Sequence, residues 1–301
     1  MDYNVITVLG PTATGKTRLA ANIAYNFNGE IISADSRQVY KGMDLGTGKD
    51  YEDYIIDHTQ IPYHLIDIID PTEEFNAFLF KEYFKKAYNL ITGRSKLPVV
   101  CGGTGFYLST IIQNYKLKQK DDNSKSELEK LSLEELKSLL LTLNKSPHNT
   151  TDLMDKGRII SALMILSSEK DNYIDTNELK PLVIGIDPGR KEIKKRISQR
   201  LSKRLESGMI EEVKYLMNNG INFEKMQFFG LEYKYIALYL TGELNYNDMF
   251  QKLNSAIHNF AKRQMTWFRK MEKEGIKINW IESNEFTPAK TLIESVGFRS
   301  N

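Results

Sequence analysis

Cysteine is nearly absent from this chain, with Cys101 the single example in 301 residues. One thiol excludes an internal disulfide framework and a cysteine-based zinc site. It ends the apolar run Leu97-Pro98-Val99-Val100-Cys101, which reads as a buried strand, so core packing is its expected role. The four histidines, His58, His64, His148 and His258, have no metal-ligand spacing. His64 opens an apolar run and is expected to be structural or to support a site from behind. Charge of one sign is also missing: 41 basic against 39 acidic residues leave +2. That balance excludes a global pull on nucleic acid and leaves room for a local basic face. No apolar run approaches the ~20 residues that span a bilayer. Strand signals begin at Val5, too early for a cleaved leader to precede them, so a cytoplasmic location without membrane contact is expected. Internal repeats and long low-complexity tracts are absent too. What remains is 41% hydrophobic and 27% charged, ordinary for a globular chain built as one large domain or a core with an insertion.

Against that plain background one segment stands out. Gly10-Pro11-Thr12-Ala13-Thr14-Gly15-Lys16-Thr17 fits G-x-x-x-x-G-K-[ST]. Its context fits as well: Val5 to Leu9 reads as a buried strand before it, and Arg18 to Ala24 has helical spacing after it. Glycines let backbone N–H groups curl around phosphate oxygens at a helix N-terminus. Lys16 would bring a point charge to the phosphates, and a hydroxyl at the Thr17 position ordinarily ligates Mg²⁺. A polyphosphate ligand is expected; the motif does not say which.

Strand and helix signals alternate through the first ~115 residues, the pattern of a parallel sheet covered by helices. Strands are predicted at Glu30 to Ser33, Tyr63 to Ile68 and Leu97 to Cys101, and helices at Ala77 to Ile91 and Phe106 to Ile112. Residues 116–150 change character, from a mixed-charge stretch to amphipathic spacing over Leu131 to Leu143. A cap at Asn149 to Thr151 would open a further helix over Leu153 to Leu166. Strand chemistry returns at Lys180 to Ile186. Arg190 to Met271 reads as mostly helical, broken near Gly208, Gly220, Gly230 and Gly242. The expectation is an α/β fold, a P-loop NTPase-like parallel sheet flanked by helices. Residues 1–115 and 156–301 would form its core and 116–155 a helical insertion domain.

Four further features bear on chemistry. Asp35 follows the second strand, and in open α/β sheets ligands sit beyond the carboxyl ends of the strands, so Asp35 should face the phosphate crevice. A helix N-cap is the bland alternative for it. Gly102-Gly103-Thr104-Gly105 also links strand to helix and would let backbone approach a ligand. Arg196, Arg200 and Arg204 recur every four residues along one helical face, where Arg suits a diphosphate by its planar fork, or simply a solvated basic face. Phe260-Ala261-Lys262-Arg263-Gln264-Met265-Thr266-Trp267-Phe268-Arg269 interleaves cations with aromatics, as suits nucleic acid or, equally, an amphipathic helix with Phe260, Trp267 and Phe268 in the core.

Taken together these segments resemble the tRNA dimethylallyltransferases. The resemblance runs in order through the P-loop, Asp35-Ser36-Arg37-Gln38-Val39-Tyr40, Asp44-Leu45-Gly46-Thr47-Gly48-Lys49, His64-Leu65-Ile66-Asp67 and Gly102-Gly103-Thr104-Gly105-Phe106-Tyr107. It continues through Arg196-Ile197-Ser198-Gln199-Arg200 and Ala261 to Phe268, covering residue 3 to about 280. It implies transfer of a dimethylallyl group from dimethylallyl diphosphate to N6 of adenosine 37 in the anticodon stem-loop of tRNA, with Mg²⁺ as cofactor. The P-loop, Gly10 through Thr17, would then hold a diphosphate leaving group rather than ATP. By the same resemblance Asp35, Thr17 and Arg200 are catalytic, with Asp35 the base toward N6, and Lys16, Thr17 and Arg200 serve the diphosphate and metal. Thr12 and Thr104 fall in the substrate channel, and Tyr107 or Phe106 could wall it or, equally, pack in the core. Asp35, Ser36, Arg37, Gln38, Thr104, Arg158, Lys262 and Arg263 would meet the tRNA. The insertion would grip the anticodon arm, with Asp155 and Arg158 in its closing motif, and the protein would act as a monomer. Where the family carries arginine this chain has Ser126, Ser161 and His258, and lost phosphate contacts would weaken RNA binding and lower its salt dependence. Competing readings are an enzyme that prenylates free adenine nucleotides such as AMP, a P-loop small-molecule kinase, and an inactive RNA-binding paralogue.

Overall fold

A computed structural model describes residues 2–117, 125–143, 156–166 and 173–300. The chain divides into two compact units, one of residues 1–114 and 176–301 and one of residues 115–175.

The first unit is organised by a six-stranded sheet. Its strands are β1 (Val5–Leu9), β2 (Gly29–Ser33), β5 (Tyr63–His64), β6 (Leu97–Gly102), β7 (Pro181–Ile186) and β8 (Ile278–Ile281). The order is β5-β2-β6-β1-β7-β8, with every pairing parallel. A parallel sheet is covered on both faces, and its strands read as continuous apolar runs for that reason. Alternate residues feed two cores. Val5, Leu9, Ile32, Val100 and Val183 join one face, and Ile6, Val8, Ile31, Val99 and Ile184 the other.

The helices follow their apolar periodicity. α1 (Lys16–Asn26) covers the second face through Leu19, Ala20 and Ile23, and α2 (Ala77–Gly93), capped by the Asn76 side chain on Leu79 N–H, packs on the first. α3 (Gly105–Ile112) follows β6 directly. Beyond β7 come α7 (Arg190–Glu206), α8 (Met209–Asn218), α9 (Phe223–Phe229), α10 (Leu231–Leu240) and α11 (Tyr246–Lys273), broken at or near the predicted glycines. α11 buries Met249, Leu253, Ile257, Ala261, Gln264, Phe268 and Met271, a three-to-four-residue spacing that leaves one stripe inward over 28 residues.

Three differences from the sequence reading have physical causes. The predicted strand from Tyr63 to Ile68 ends at His64, because Leu65 and Asp67 take left-handed backbone (φ 65 and 54) and turn the chain. A hairpin of β3 (Ile55–Ile56) and β4 (Thr59–Gln60) lies between β2 and β5. Asp57 and His58 both have positive φ there, the geometry of a type I′ turn, but without the Asn-Gly that announces one. After α11 the chain adds β8 and α12 (Phe286–Ser295), whose Ala289 and Ile293 bury in the second core.

The second unit holds α4 (Lys125–Leu128), α5 (Leu133–Leu143) and α6 (Lys156–Leu166) around a small core of Leu128, Leu136, Leu140, Ile159, Ile160, Leu163 and Met164. Ser132 and Glu135 form a capping box at the start of α5, with Ser132 N–H donating to Glu135 Oε2 at 2.7 Å. The predicted return to the core at residue 156 moves to Thr176, since α6 spends its apolar face on α5. At Thr176 the chain re-enters the first unit, its hydroxyl bonded to the Ile111 carbonyl at 2.9 Å. The predicted Asn149–Thr151 cap lies outside the described residues.

Candidate active site

The register aligns three strand ends: Leu9 pairs with Gly102, and Ser33 with Cys101. Past those ends the loops diverge around a cavity of about 820 Å³, walled also by α7, α10 and α11. Seven cations (Lys16, Arg37, Arg196, Arg200, Lys203, Arg204 and Arg263) face four carboxylates (Asp35, Asp50, Asp53 and Glu232). A chain of net charge +2 thus concentrates a local excess of cations at one cleft, where it attracts polyanions.

The P-loop forms the floor. Thr12, Ala13, Gly15, Lys16 and Thr17 line the cavity. Thr14 is fully buried beneath, its hydroxyl on the Pro11 carbonyl at 2.9 Å. Ala13 (φ 64) and Gly15 (φ 75) are left-handed, which curls successive N–H groups into an anion-binding nest. Lys16 donates to the Pro11 carbonyl at 2.8 Å. Desolvation lowers its pKa to about 8, with Arg200 pushing the same way and Cys101 and Asp35 opposing. Arg200 donates to the Thr12 hydroxyl. Burial, then the neighbouring Arg204, lowers its pKa to about 10. Both cations are therefore held with their charge partly desolvated, which an anionic ligand in the cavity would offset.

Asp35 sits on a turn rather than capping a helix. Its Oδ1 accepts Arg37 N–H at 2.9 Å, and its other oxygen has no partner among the described residues. Ser36 N–H donates to Thr104 Oγ1 at 3.2 Å, joining the β2 and β6 loops. Arg37 packs its guanidinium over Phe228, 4.5 Å from the ring centroid. Gln38 is buried and tied at both ends, accepting from Ser33 at 2.9 Å and donating to the Gly48 carbonyl at 3.1 Å. Its side chain holds the wall.

The glycines of the β6–α3 turn owe their identity to close approach. A Cβ on Gly103 would stand 2.4 Å from Gln264 Nε2, and one on Gly105 2.3 Å from the Trp267 ring. Gln264 is buried and joins two walls: its Oε1 accepts Thr12 N–H and its Nε2 donates to the Gly103 carbonyl, both at 2.8 Å. The 44–50 loop is clamped similarly. Glu212 of α8 accepts the N–H groups of Asp44 (2.9 Å), Leu45 (2.7 Å) and Gly46 (3.0 Å), and the Tyr233 hydroxyl at 2.7 Å. Asp50 in turn holds Arg204 at 2.9 Å.

Arg196, Arg200 and Arg204 share the cavity as their spacing predicts, though Arg196 bonds Glu192 at 2.7 Å and Arg204 bonds Asp50. Arg263 lines the cavity beside Phe260, whereas Lys262 is exposed and off its wall. Of the three aromatics of that segment only Phe268 is fully buried, with Phe260 and Trp267 at the cavity. Tyr107 does not wall the channel; it is buried and stacks on Phe80 at 4.2 Å. Phe106 lies outside the lining, edge-on to Trp267 at 5.9 Å. Cys101 is buried as expected, its thiol hydrogen-bonded to Thr17 and pushed up to about 12 by burial. His64 bonds buried Glu30 at 2.7 Å, a structural pair. Ser126 is exposed on α4 and Ser161 half-buried on α6, while His258 faces the Lys194 carbonyl at 3.3 Å. Asp155 and the Arg158 side chain lie outside the described residues. Sequence reasoning missed Glu212 and Glu232, and quoted Gln264 without a role. Only the three-dimensional contacts single them out.

Among the described residues no group of three His, Cys, Asp or Glu side chains could hold a metal. A P-loop needs none, since its Mg²⁺ takes one hydroxyl plus phosphate and water oxygens. The Thr17 hydroxyl and the Asp35 carboxylate, both lining the cavity, are hard oxygen donors of the kind Mg²⁺ prefers.

Fold and site together define a P-loop α/β protein with a polyanion cleft. Comparison with known proteins narrows the class. Residues 38–271 match the family described as IPP transferase, and residues 3–65 match the one described as isopentenyl transferase. A tRNA dimethylallyltransferase 1 of Geotalea uraniireducens is 49% identical over 94% of both chains. Its counterpart from Geotalea daltonii is 48% identical over 100% of this chain and 96% of its own. Among solved structures, a tRNA isopentenylpyrophosphate transferase of Bacillus halodurans superposes with a TM-score of 0.69 at 30% identity, over 97% of this chain and 95% of that one. A eukaryotic dimethylallyltransferase acting on tRNA, at 23% identity and a TM-score of 0.75, shares the fold over 98% of this chain and 79% of its own. The chain belongs to the IPP transferase family, among relatives named tRNA dimethylallyltransferases.

Proposed function

We propose that this protein transfers a dimethylallyl group from dimethylallyl diphosphate to N6 of adenosine 37 in tRNA. The observation that carries the reading is that the P-loop, Arg200 and Asp35 open into one cavity in a chain of this family. The cationic floor suits a diphosphate, and Asp35 on the adjoining wall suits the role of proton acceptor.

An allylic diphosphate reacts as its C1–O bond breaks and negative charge grows on the leaving group. Lys16, Arg200 and the loop N–H groups stabilise that charge, and their preorganisation makes the stabilisation specific to the transition state. Mg²⁺, held by the Thr17 hydroxyl, would supply further charge neutralisation on the leaving group. Asp35 takes a proton from N6 as the N–C bond forms. The adenine must leave the anticodon stack to reach this depth. Arg37 over Phe228 and Arg263 beside Phe260 offer cation and ring faces at the rim for the RNA. The helical unit of residues 115–175 would grip the anticodon arm.

The test is incubation of the protein with Mg²⁺, labelled dimethylallyl diphosphate and tRNA lacking the modification, with AMP in a parallel reaction. Label in tRNA only is the expected result. Label in AMP would move the protein to the nucleotide-prenylating class, and label in neither would overturn the reading.

A further inference from the structure

Glu232 is a cavity carboxylate to which the reaction so far gives no task. It occupies the first turn of α10, just after Gly230, and lines the cavity with Asp35 and Arg200. Its carboxylate bonds its own backbone N–H and, among the described residues, nothing else. Burial raises its pKa above the ordinary carboxylate range, and Asp35 adds to the rise while Arg200 and Arg204 oppose it. Its neighbours are otherwise engaged: Arg204 is bonded to Asp50 and Arg200 to Thr12. A half-buried carboxylate that faces a cavity with only its own backbone N–H as donor is under-satisfied, and a ligand that brings a further donor meets that need.

We infer that Glu232 accepts a hydrogen bond from the exocyclic amine of the substrate base, and that this selects an amine over a carbonyl at the reacting position. The inference rests on the proposed adenine substrate. N6 carries two hydrogens. As its lone pair forms the bond to C1 of the donor, the C1–O pair departs on the diphosphate and one N6 proton passes to Asp35. The second N6–H stays in the product and needs an acceptor throughout, which Glu232 supplies. A base with a carbonyl at this position, such as guanine or hypoxanthine, would set an acceptor against two carboxylates. Pockets that hydrogen-bond a substrate group reject analogues lacking it far more strongly than apolar pockets do.

The experiment uses Glu232→Gln and Glu232→Ala in the full chain. Substrates are an anticodon hairpin with adenine at position 37 and, as competitive inhibitor, the same hairpin with hypoxanthine. Glu232→Gln should lower kcat/KM on the adenine hairpin about tenfold, because its amide oxygen still accepts from N6–H but without the charge. It should tighten inhibition by the hypoxanthine hairpin about tenfold, because the new amide donates to a carbonyl. Glu232→Ala should lose adenine turnover without gaining the inhibitor. Pyrophosphate affinity should stay at the wild-type value in both, and melting temperature should hold or rise as the under-satisfied charge is removed. Unchanged adenine kcat/KM, or lost pyrophosphate affinity with intact RNA constants, would overturn the assignment. With an active wild type these outcomes bear on Glu232 alone; a wild type inactive on the adenine hairpin overturns the functional reading and this inference with it.

Discussion

Lys16 is held at a cost to the fold, and replacing it should stabilise the protein while disabling it. In the unfolded chain its ammonium keeps its proton to the usual 10.5; in the cavity the pKa falls to about 8. That difference corresponds to roughly 3 kcal/mol against the charged form at neutral pH. The side chain is only half-buried, which reduces the penalty, and the bond to the Pro11 carbonyl returns about 1 kcal/mol. Lys16→Met should therefore raise the unfolding free energy by about 1–2 kcal/mol at pH 7. Below pH 8 Lys16 is protonated in both states and the penalty is complete. Between about pH 8 and 10.5 the unfolded state holds more protons than the folded one, so wild-type stability gains with rising pH and the variant's advantage fades. Pyrophosphate affinity should fall at least ~10-fold with the charge-assisted contact. Urea unfolding at pH 7 and pH 10, with calorimetric pyrophosphate titration, reads all three effects. A Met variant less stable than wild type at pH 7, or an advantage that does not change with pH, would refute the reasoning.

Two further substitutions test the supports of the site. Gln264→Ala strands the Thr12 N–H and the Gly103 carbonyl, so urea unfolding should report a loss of about 2–4 kcal/mol, and pyrophosphate titration a weaker P-loop. Glu212→Ala leaves three backbone N–H groups and the Tyr233 hydroxyl without their acceptor. It should cost about 2–4 kcal/mol in the same unfolding assay and lower kcat/KM for prenyl transfer, with Glu212→Gln recovering part of both through its remaining carbonyl oxygen.

The parallel sheet was legible because buried strands announce themselves as apolar runs, and the P-loop because phosphate chemistry demands glycines and a lysine at fixed spacing. The Arg196–Arg200–Arg204 face followed from helical geometry alone. The hairpin at Asp57-His58 was not legible, since its turn uses two non-glycine residues with positive φ. The boundary at Thr176 was hidden because an apolar stripe on a helix does not say which neighbour it will cover. Glu212, Glu232 and Gln264 act across 161 or more positions of sequence, as Gln264 does on Gly103 and Glu212 on Gly46, or through a cavity wall. No local pattern marks a residue whose partner lies that far along the chain.

The central claim is that Asp35 removes the N6 proton in a cavity whose floor holds the diphosphate independently. A single-turnover experiment with Asp35→Asn, Mg²⁺, labelled dimethylallyl diphosphate and unmodified tRNA tests it directly, with donor affinity measured on the same variant. The account predicts donor binding close to wild type and transfer slowed by about 10²–10⁴-fold. Transfer at the wild-type rate, or a slow rate explained wholly by lost donor binding, would contradict it.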